Sequence, residues 1–519
     1  MTLIRRGRGG TLLALLLLAA LPLGCLPIPT IQRDIVLDAA VLEISPGSVR
    51  TEYVSLPSGP APNTPEAYNR ALYTRYYRQP PVGNASDTVL VPDTVLVMVP
   101  GLFSGATILD VLARQLVASQ RGLEVWVLDR RANLLEDRSA FVASLERRDP
   151  TIAYDYYVRN VGTPTGFQPL SAEEVPFLRD WGIGVHLRDL HEVILAARAL
   201  SDTVYLAGYS LGASQVGLYA AYRFGDTVGQ DYIDGLILID GGLGRSGAFG
   251  DALRLSVGPV RIAASRDMLM AGEGVPYATA LGFDPVSQAQ RMTVALLAGL
   301  EPSTPSPGGF FDVPLTNLAV LGLTADDDYS LAPVFSVAMG ETTGAEFAGN
   351  LPAALLGGRE GLDNRTVSGV ARGFQIVGWQ RSAGDDGAGN DGASNDKEPV
   401  DPLVFARSRV TLDTDADEWY FPLRLALDIA QFDISLDNEP DFIPNRDVTV
   451  PTLAVGAAKG LVPDLATFAA YSNVRAGSLF SSYILPGFTH VDIVYAEQNP
   501  LVPLMLRWLE QLRTLRGSP

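Results

Sequence analysis

The stretch LAGYSLGASQ, residues 206–215, sets Ser210 between Gly208 and Gly212 at the end of an apolar run. A serine hydroxyl is a weak nucleophile at its own pKa, so it acts only with a base in hydrogen-bond reach and a third group to orient that base. Three histidines, His186, His191 and His490, are the imidazoles from which a base would be drawn, against 58 carboxylates as candidate third groups. A bare G-x-S-x-G arises by chance in many proteins, and what gives this one weight is its setting. The run DTVYLAG (202–208) reads as a strand and SLGASQVGLYAAYRF (210–224) as a helix. Between them the glycines allow a sharp turn and a close helix–strand approach, which would hold the hydroxyl exposed above a sheet. The chemistry such a serine would carry is acyl transfer.

Stepping outward from that serine, other runs must build the sheet. DTVLVMVP (93–100), LEVWVLD (123–129) and DGLILID (234–240) are apolar runs of strand length, while ILDVLARQLVAS (108–119) and HLRDLHEVILAARAL (186–200) carry helical spacing. Apolar strands alternating with helices predict an α/β fold, a mostly parallel sheet covered on both faces. From 241 to 447 the alternation stops; it resumes with VPTLAVGA (450–457), SSYILPG (481–487) and a helix over 491–515 that Pro500 and Pro503 kink or divide. The organisation expected is a signal segment (1–24), an N-terminal segment with the first strands (25–89), a core (90–240), a cap insertion (241–447) and a returning core (448–519). Within the cap, DEWYFPLRLALDIAQF (417–432) has the spacing of a buried helical face. The acidic, glycine-rich run 384–396 fails the EF-hand spacing, since from Asp386 it puts Ala388 at position three and Lys397 where glutamate is needed. It reads as part of a flexible loop, 382–399.

A chain of 519 residues is long for a single core, consistent with a domain carrying a large insertion. Its formal charge of -19, with no basic stripe, disfavours a nucleic-acid partner. Arg5, Arg6 and Arg8 precede the apolar run Thr11–Leu23, too short to span a bilayer comfortably, so export is expected. The single cysteine, Cys25, follows Gly24 in an arrangement that resembles a bacterial lipoprotein signal, which would imply a lipid anchor at Cys25; ordinary secretion is the alternative. One cysteine leaves no intrachain disulfide.

At the serine motif, and over about residues 90–240 and 448–515, the chain resembles the α/β-hydrolase family. The resemblance implies an eight-stranded, mostly parallel sheet carrying serine, acid and histidine on loops in that order. It also implies that Pro100-Gly101-Leu102-Phe103-Ser104-Gly105 is the oxyanion loop, with the amides of Leu102, or alternatively Phe103, and of Leu211 forming the hole. His186 and His191, within a helix, read as surface or boundary residues, whereas His490 in PGFTHVDIVYA occupies the family's place for the general base. The acid often follows the strand corresponding to VPTLAVGA in a G-x-x-D-x-x-x-P pattern; here Lys459 stands at the aspartate's place, and a cation cannot orient an imidazole. Asp240, ending LILID on the rim that carries Ser210, is favoured, with Asp464 the alternative. Asp492 is explained by helix-dipole compensation.

These readings lead to a serine hydrolase acting through an acyl-enzyme on a small-molecule or lipid ester. No cofactor and no metal are needed, GGLGRSG (241–247) lacking the continuation of a dinucleotide fold. The alternatives are a peptidase, amidase or acyltransferase using the same residues, or a non-catalytic envelope binding protein.

Overall fold

The computed structural model describes residues 49–78, 91–242, 252–257, 260–279, 282–307, 314–329, 336–343, 376–381, 398–475 and 477–517. The expected signal segment, Cys25 and residues 382–397 of the expected loop lie outside them. Eight strands form one sheet: β1 (Val49–Pro57), β2 (Arg70–Arg78), β3 (Thr94–Val99), β4 (Leu123–Asp129), β5 (Val204–Tyr209), β6 (Gly235–Ile239), β7 (Thr452–Lys459) and β8 (Phe480–Thr489). Their order is β1-β2-β4-β3-β5-β6-β7-β8. β2 runs antiparallel to both β1 and β4, and every other neighbouring pair is parallel. Every residue of β3, β4, β5 and β6 is buried, as strands covered on both faces require. The antiparallel edge strand β1 is mostly exposed or half-buried.

Helices α1 (Asp110–Ser119), α2 (Ile183–Leu200) and α3 (Leu211–Ala221) follow β3, precede β5 and follow β5 respectively. Residues 240–451 then intervene between β6 and β7 as the cap. Its described helices are α4 (Arg266–Met270), α5 (Pro285–Leu300), α6 (Asn317–Ala325), α7 (Pro402–Ser408) and α8 (Leu423–Gln431), accompanied by a hairpin of 252–257 with 260–265. After the cap come α9 (Leu465–Val474), between β7 and β8, and the C-terminal α10 (Leu501–Gly517). α2 and α3 touch on one face of the sheet, and α1 and α10 on the other. This is the α/β-hydrolase architecture with a large cap before the penultimate strand. No helix among the described residues is long and apolar enough to cross a membrane.

Two elements differ from expectation. The helix expected over 417–432 begins only at Leu423; before it Asp417 bridges Ser104, the Glu418 N–H donates to Phe103 O at 3.0 Å, and the chain turns at Trp419–Tyr420. Tertiary hydrogen bonds and Pro422 there outweigh helical spacing. The last expected helix is divided at Pro500 into Asp492–Tyr495 and α10; Pro503 falls in the first turn of α10, where a missing N–H forfeits no intrahelical bond.

Candidate active site

Ser210 sits at the C-terminal edge of β5, directly before α3, with φ 58° and ψ −124°. A non-glycine residue held there stores on the order of 1–3 kcal/mol of strain and persists only where its surroundings impose it. They do so from three sides. The Ser210 N–H donates to Ile239 O at 2.9 Å, tying the turn to β6. A Cβ on Gly208 would lie 2.2 Å from Gly212 O, and one on Gly212 would lie 2.2 Å from Val99 O, so both glycines of the motif are required by close approach.

His490 follows β8, and Asp240 follows β6 with φ 41°. Separated by 250 positions, they meet with Nδ1 of His490 2.6 Å from Oδ2 of Asp240. Both are buried. The imidazole stacks on the Tyr209 ring at 4.7 Å between centroids, and the Tyr209 hydroxyl donates to His490 O at 2.8 Å. Because Tyr209 immediately precedes Ser210, these two contacts register the His490 loop against the serine turn.

Asp240 accepts three further hydrogen bonds, from the N–H groups of Ala457 (3.0 Å), Leu461 (2.9 Å) and Val462 (3.0 Å). Burial pushes its pKa up, but the His490 hydrogen bond and charge, then the amides of Ala457 and Leu461, outweigh burial and hold the carboxyl below its ordinary value. The group is an anion aimed at Nδ1, which fixes the tautomer with the proton on Nδ1 and leaves Nε2 as the acceptor.

The loop Pro100–Gly105 crosses beside the serine: a Cβ on Gly101 would lie 2.9 Å from Ser210 Cβ and 3.3 Å from Ser210 Oγ. Leu102 follows Gly101, and Phe103 has φ 57°. Leu211 is the first residue of α3, so its N–H has no intrahelical acceptor and lies at the positive end of the helix dipole. Against this loop the cap packs apolar side chains: Phe103 lies 4.3 Å from Phe283 and 5.0 Å from Phe421 between centroids, within a cluster including Leu269, Leu423 and Leu427.

The remaining candidates lie elsewhere or do other work. Asp464 is exposed and caps α9, accepting from the Ala466 N–H at 2.8 Å. Lys459 is exposed at the end of β7, and its charge acts on Asp327 of the cap, opposing the burial that raises that carboxyl. His186 is buried rather than at a boundary, its pKa driven well below the ordinary value by burial and then by Arg130 and Arg131. His191 stacks on Phe224 at 3.8 Å and has its Nδ1 2.9 Å from the Tyr219 hydroxyl; burial lowers its pKa to about 4.

Asp492 is more than a dipole partner. Fully buried, it accepts from Thr489 N–H and, across to the cap, from Ala338 N–H, both at 2.9 Å, so it fastens the histidine loop to the insertion. Sequence reasoning also passed over Arg130 and Glu418, a buried ion pair of 2.8 Å beside the loop 100–105. Partners separated by 288 positions leave no local pattern to read. Among the described residues no cluster of histidine, cysteine and carboxylate side chains could hold a metal ion.

No protein-family model and no curated protein matches the chain. Among solved structures it is similar to a lipase candidate from Sulfolobus solfataricus (TM-score 0.46, 16% identity, covering 89% of this chain and 95% of that one). It is also similar to an esterase from Thermogutta terrifontis (TM-score 0.35, 11% identity, 89% and 99%). A third such structure is an epoxide hydrolase from Vigna radiata (TM-score 0.39, 10% identity, 89% and 98%). At identities and scores this low, and with names that span different reactions, these likenesses do not select a chemistry for the site.

Proposed function

We propose that the protein is a serine hydrolase that cleaves carboxylic esters with an apolar acyl or alcohol part. In this reading Ser210 Oγ attacks the ester carbonyl while His490 Nε2 takes the hydroxyl proton. Asp240 holds the imidazole in the required tautomer and stabilises the imidazolium that forms. The amides of Leu102 and Leu211 receive the oxyanion. Collapse of the tetrahedral intermediate expels the alcohol, protonated by His490; water activated by the same imidazole then releases the acid and restores Ser210. The apolar substrate preference rests on Leu102, Phe103 and the cap side chains packed against them. The observation that carries the proposal is the buried 2.6 Å His490–Asp240 pair stacked on the residue preceding a strained serine.

The test is covalent labelling. A fluorophosphonate probe should modify Ser210 of the purified wild type, located by peptide mapping, and p-nitrophenyl butyrate should be turned over. Ser210→Ala should lose both while remaining folded. A folded wild type that takes no label and hydrolyses no ester would instead favour a binding protein on a hydrolase fold.

A further inference from the structure

The loop that runs past Ser210 is gripped from behind by a buried charge. Arg130 stands one residue beyond the end of β4, its side chain fully excluded from solvent. Its Nη2 donates to Pro100 O at 2.7 Å and its Nη1 to Ser104 O at 3.1 Å, so one guanidinium holds the carbonyls on either side of Gly101, Leu102 and Phe103. The same Nη1 lies 2.8 Å from Glu418 Oε2, and the guanidinium lies 5.5 Å from the Phe421 ring. Glu418 belongs to the extended cap segment whose own backbone holds this loop: its N–H donates to Phe103 O at 3.0 Å, and Ala416 O accepts from Gly105 N–H at 3.0 Å.

Two loop carbonyls do not need a buried ion pair. Water or a neutral donor would satisfy them, whereas burying a guanidinium and a carboxylate costs several kcal/mol per ion, and replacing such pairs with apolar residues is often neutral or stabilising. Nor is this pair optimised for stability, since Arg130 Nε and Glu418 Oε1 are buried without hydrogen-bond partners. The pair supplies geometry instead. Phe103 is held at a positive φ that a non-glycine residue leaves when released, and the Leu102 amide next to it must stay aimed at one point.

We infer that Arg130, held in place by Glu418 of the cap, is a positioning residue for the oxyanion hole, and that the cap thereby helps set the catalytic geometry. This rests on the serine-hydrolase reading. The expectation is that transition-state stabilisation depends on the clamp, whereas substrate binding and folding do not.

The experiment replaces the pair as a unit. Arg130→Met with Glu418→Leu keeps the volume and leaves no unpaired charge, so the double variant should fold, melting lower than wild type by the cost of leaving Pro100 O and Ser104 O without that donor. Its kcat on p-nitrophenyl butyrate should fall by about 10²–10³, the loss associated with one oxyanion donor, with KM changed less than about threefold. Binding of butylboronic acid, whose tetrahedral adduct on Ser210 uses the same hole, should weaken in proportion to kcat/KM. Arg130→Lys, which reaches one carbonyl at a time, should fold and show a smaller loss in both. Wild-type kcat and boronate affinity in the double variant would overturn the clamp while leaving the hydrolase reading intact. If the double variant does not fold, an unchanged Arg130→Lys enzyme overturns it equally. A wild type that neither labels at Ser210 nor hydrolyses ester removes the hydrolase reading, and the clamp with it.

Discussion

At Asp240 the surroundings offer the carboxylate only donors: the Nδ1–H of His490 and the N–H groups of Ala457, Leu461 and Val462. An asparagine there must turn its NH₂ toward one of these donors or force the imidazole into the other tautomer. Asp240→Asn should therefore lower esterase kcat on the order of 10⁴, as the equivalent change does in a serine-protease triad. Asp464→Asn, altering an exposed helix cap, should leave kcat unchanged, and steady-state kinetics on folded variants decides. The reverse result would move the acid's role to Asp464. Ser210 is legible from its motif, and His490 and Asp240 from their places after strands. The lysine at 459 left two aspartates open, because nothing in the sequence says which way a loop turns its amides. Arg130 and Glu418 were not legible at all, since each looks like an ordinary surface charge until the fold brings together positions 288 apart.

The element that settles the aspartate's surroundings is the end of β7 with the turn that follows it. Residues Gly456–Val462, where a carboxylate was sought, instead turn three backbone N–H groups onto the carboxylate arriving from β6. Gly460 makes that possible: a Cβ there would sit 2.2 Å from Asp240 Oδ2 and 2.8 Å from Ala457 Cβ. Gly460→Ala must displace the carboxylate, and a misplacement near 1 Å costs about 10² in rate, so kcat should drop by that order. Gly477→Ala, whose Cβ meets nothing within 4 Å, serves as the control and should leave kinetics unaltered. A Gly460→Ala enzyme of full activity would show that the turn does not position the acid. Strand legibility follows the same physics. β3 to β6 are buried on both faces and read as largely apolar runs, with Glu124 and Asp129 of β4 among the polar residues they bury. The cap was not legible in detail because its segments take their shape from the core: residues 415–418 run extended against the loop 103–105, with no periodicity of their own to announce it.

For the whole molecule, the buried acids set how stability depends on pH. Burial, against only partial compensation from neighbouring donors and cations, pushes Asp129 and Asp415 up to about 6 and Glu418 and Asp492 up to about 7, from 3.8 for aspartate and 4.5 for glutamate. Each such group binds its proton more tightly folded than unfolded. Its contribution is complete below the unfolded pKa and is lost as pH rises through the folded one. Among the buried groups, the lowered ones work the other way. His186 and His191, depressed by burial, lose stability as pH falls below the ordinary 6.5, and Asp240, held low, does so only below the usual aspartate range. Between pH 5 and 7.5 these carboxyls, joined by Glu136, Asp189, Asp326 and Asp327, which burial also raises, outnumber the two histidines, and Asp240 is ionised in both states. Self-repulsion of a chain with formal charge -19 grows in the same direction as acids ionise. The melting temperature, measured in buffers of constant ionic strength, should therefore fall from about pH 5.5 to 8, by on the order of 5 °C. Asp492→Asn should flatten the slope by removing one titrating group. A melting temperature that rises across this interval would mean that these carboxyls are already ionised in the folded protein, paired more completely than their burial implies.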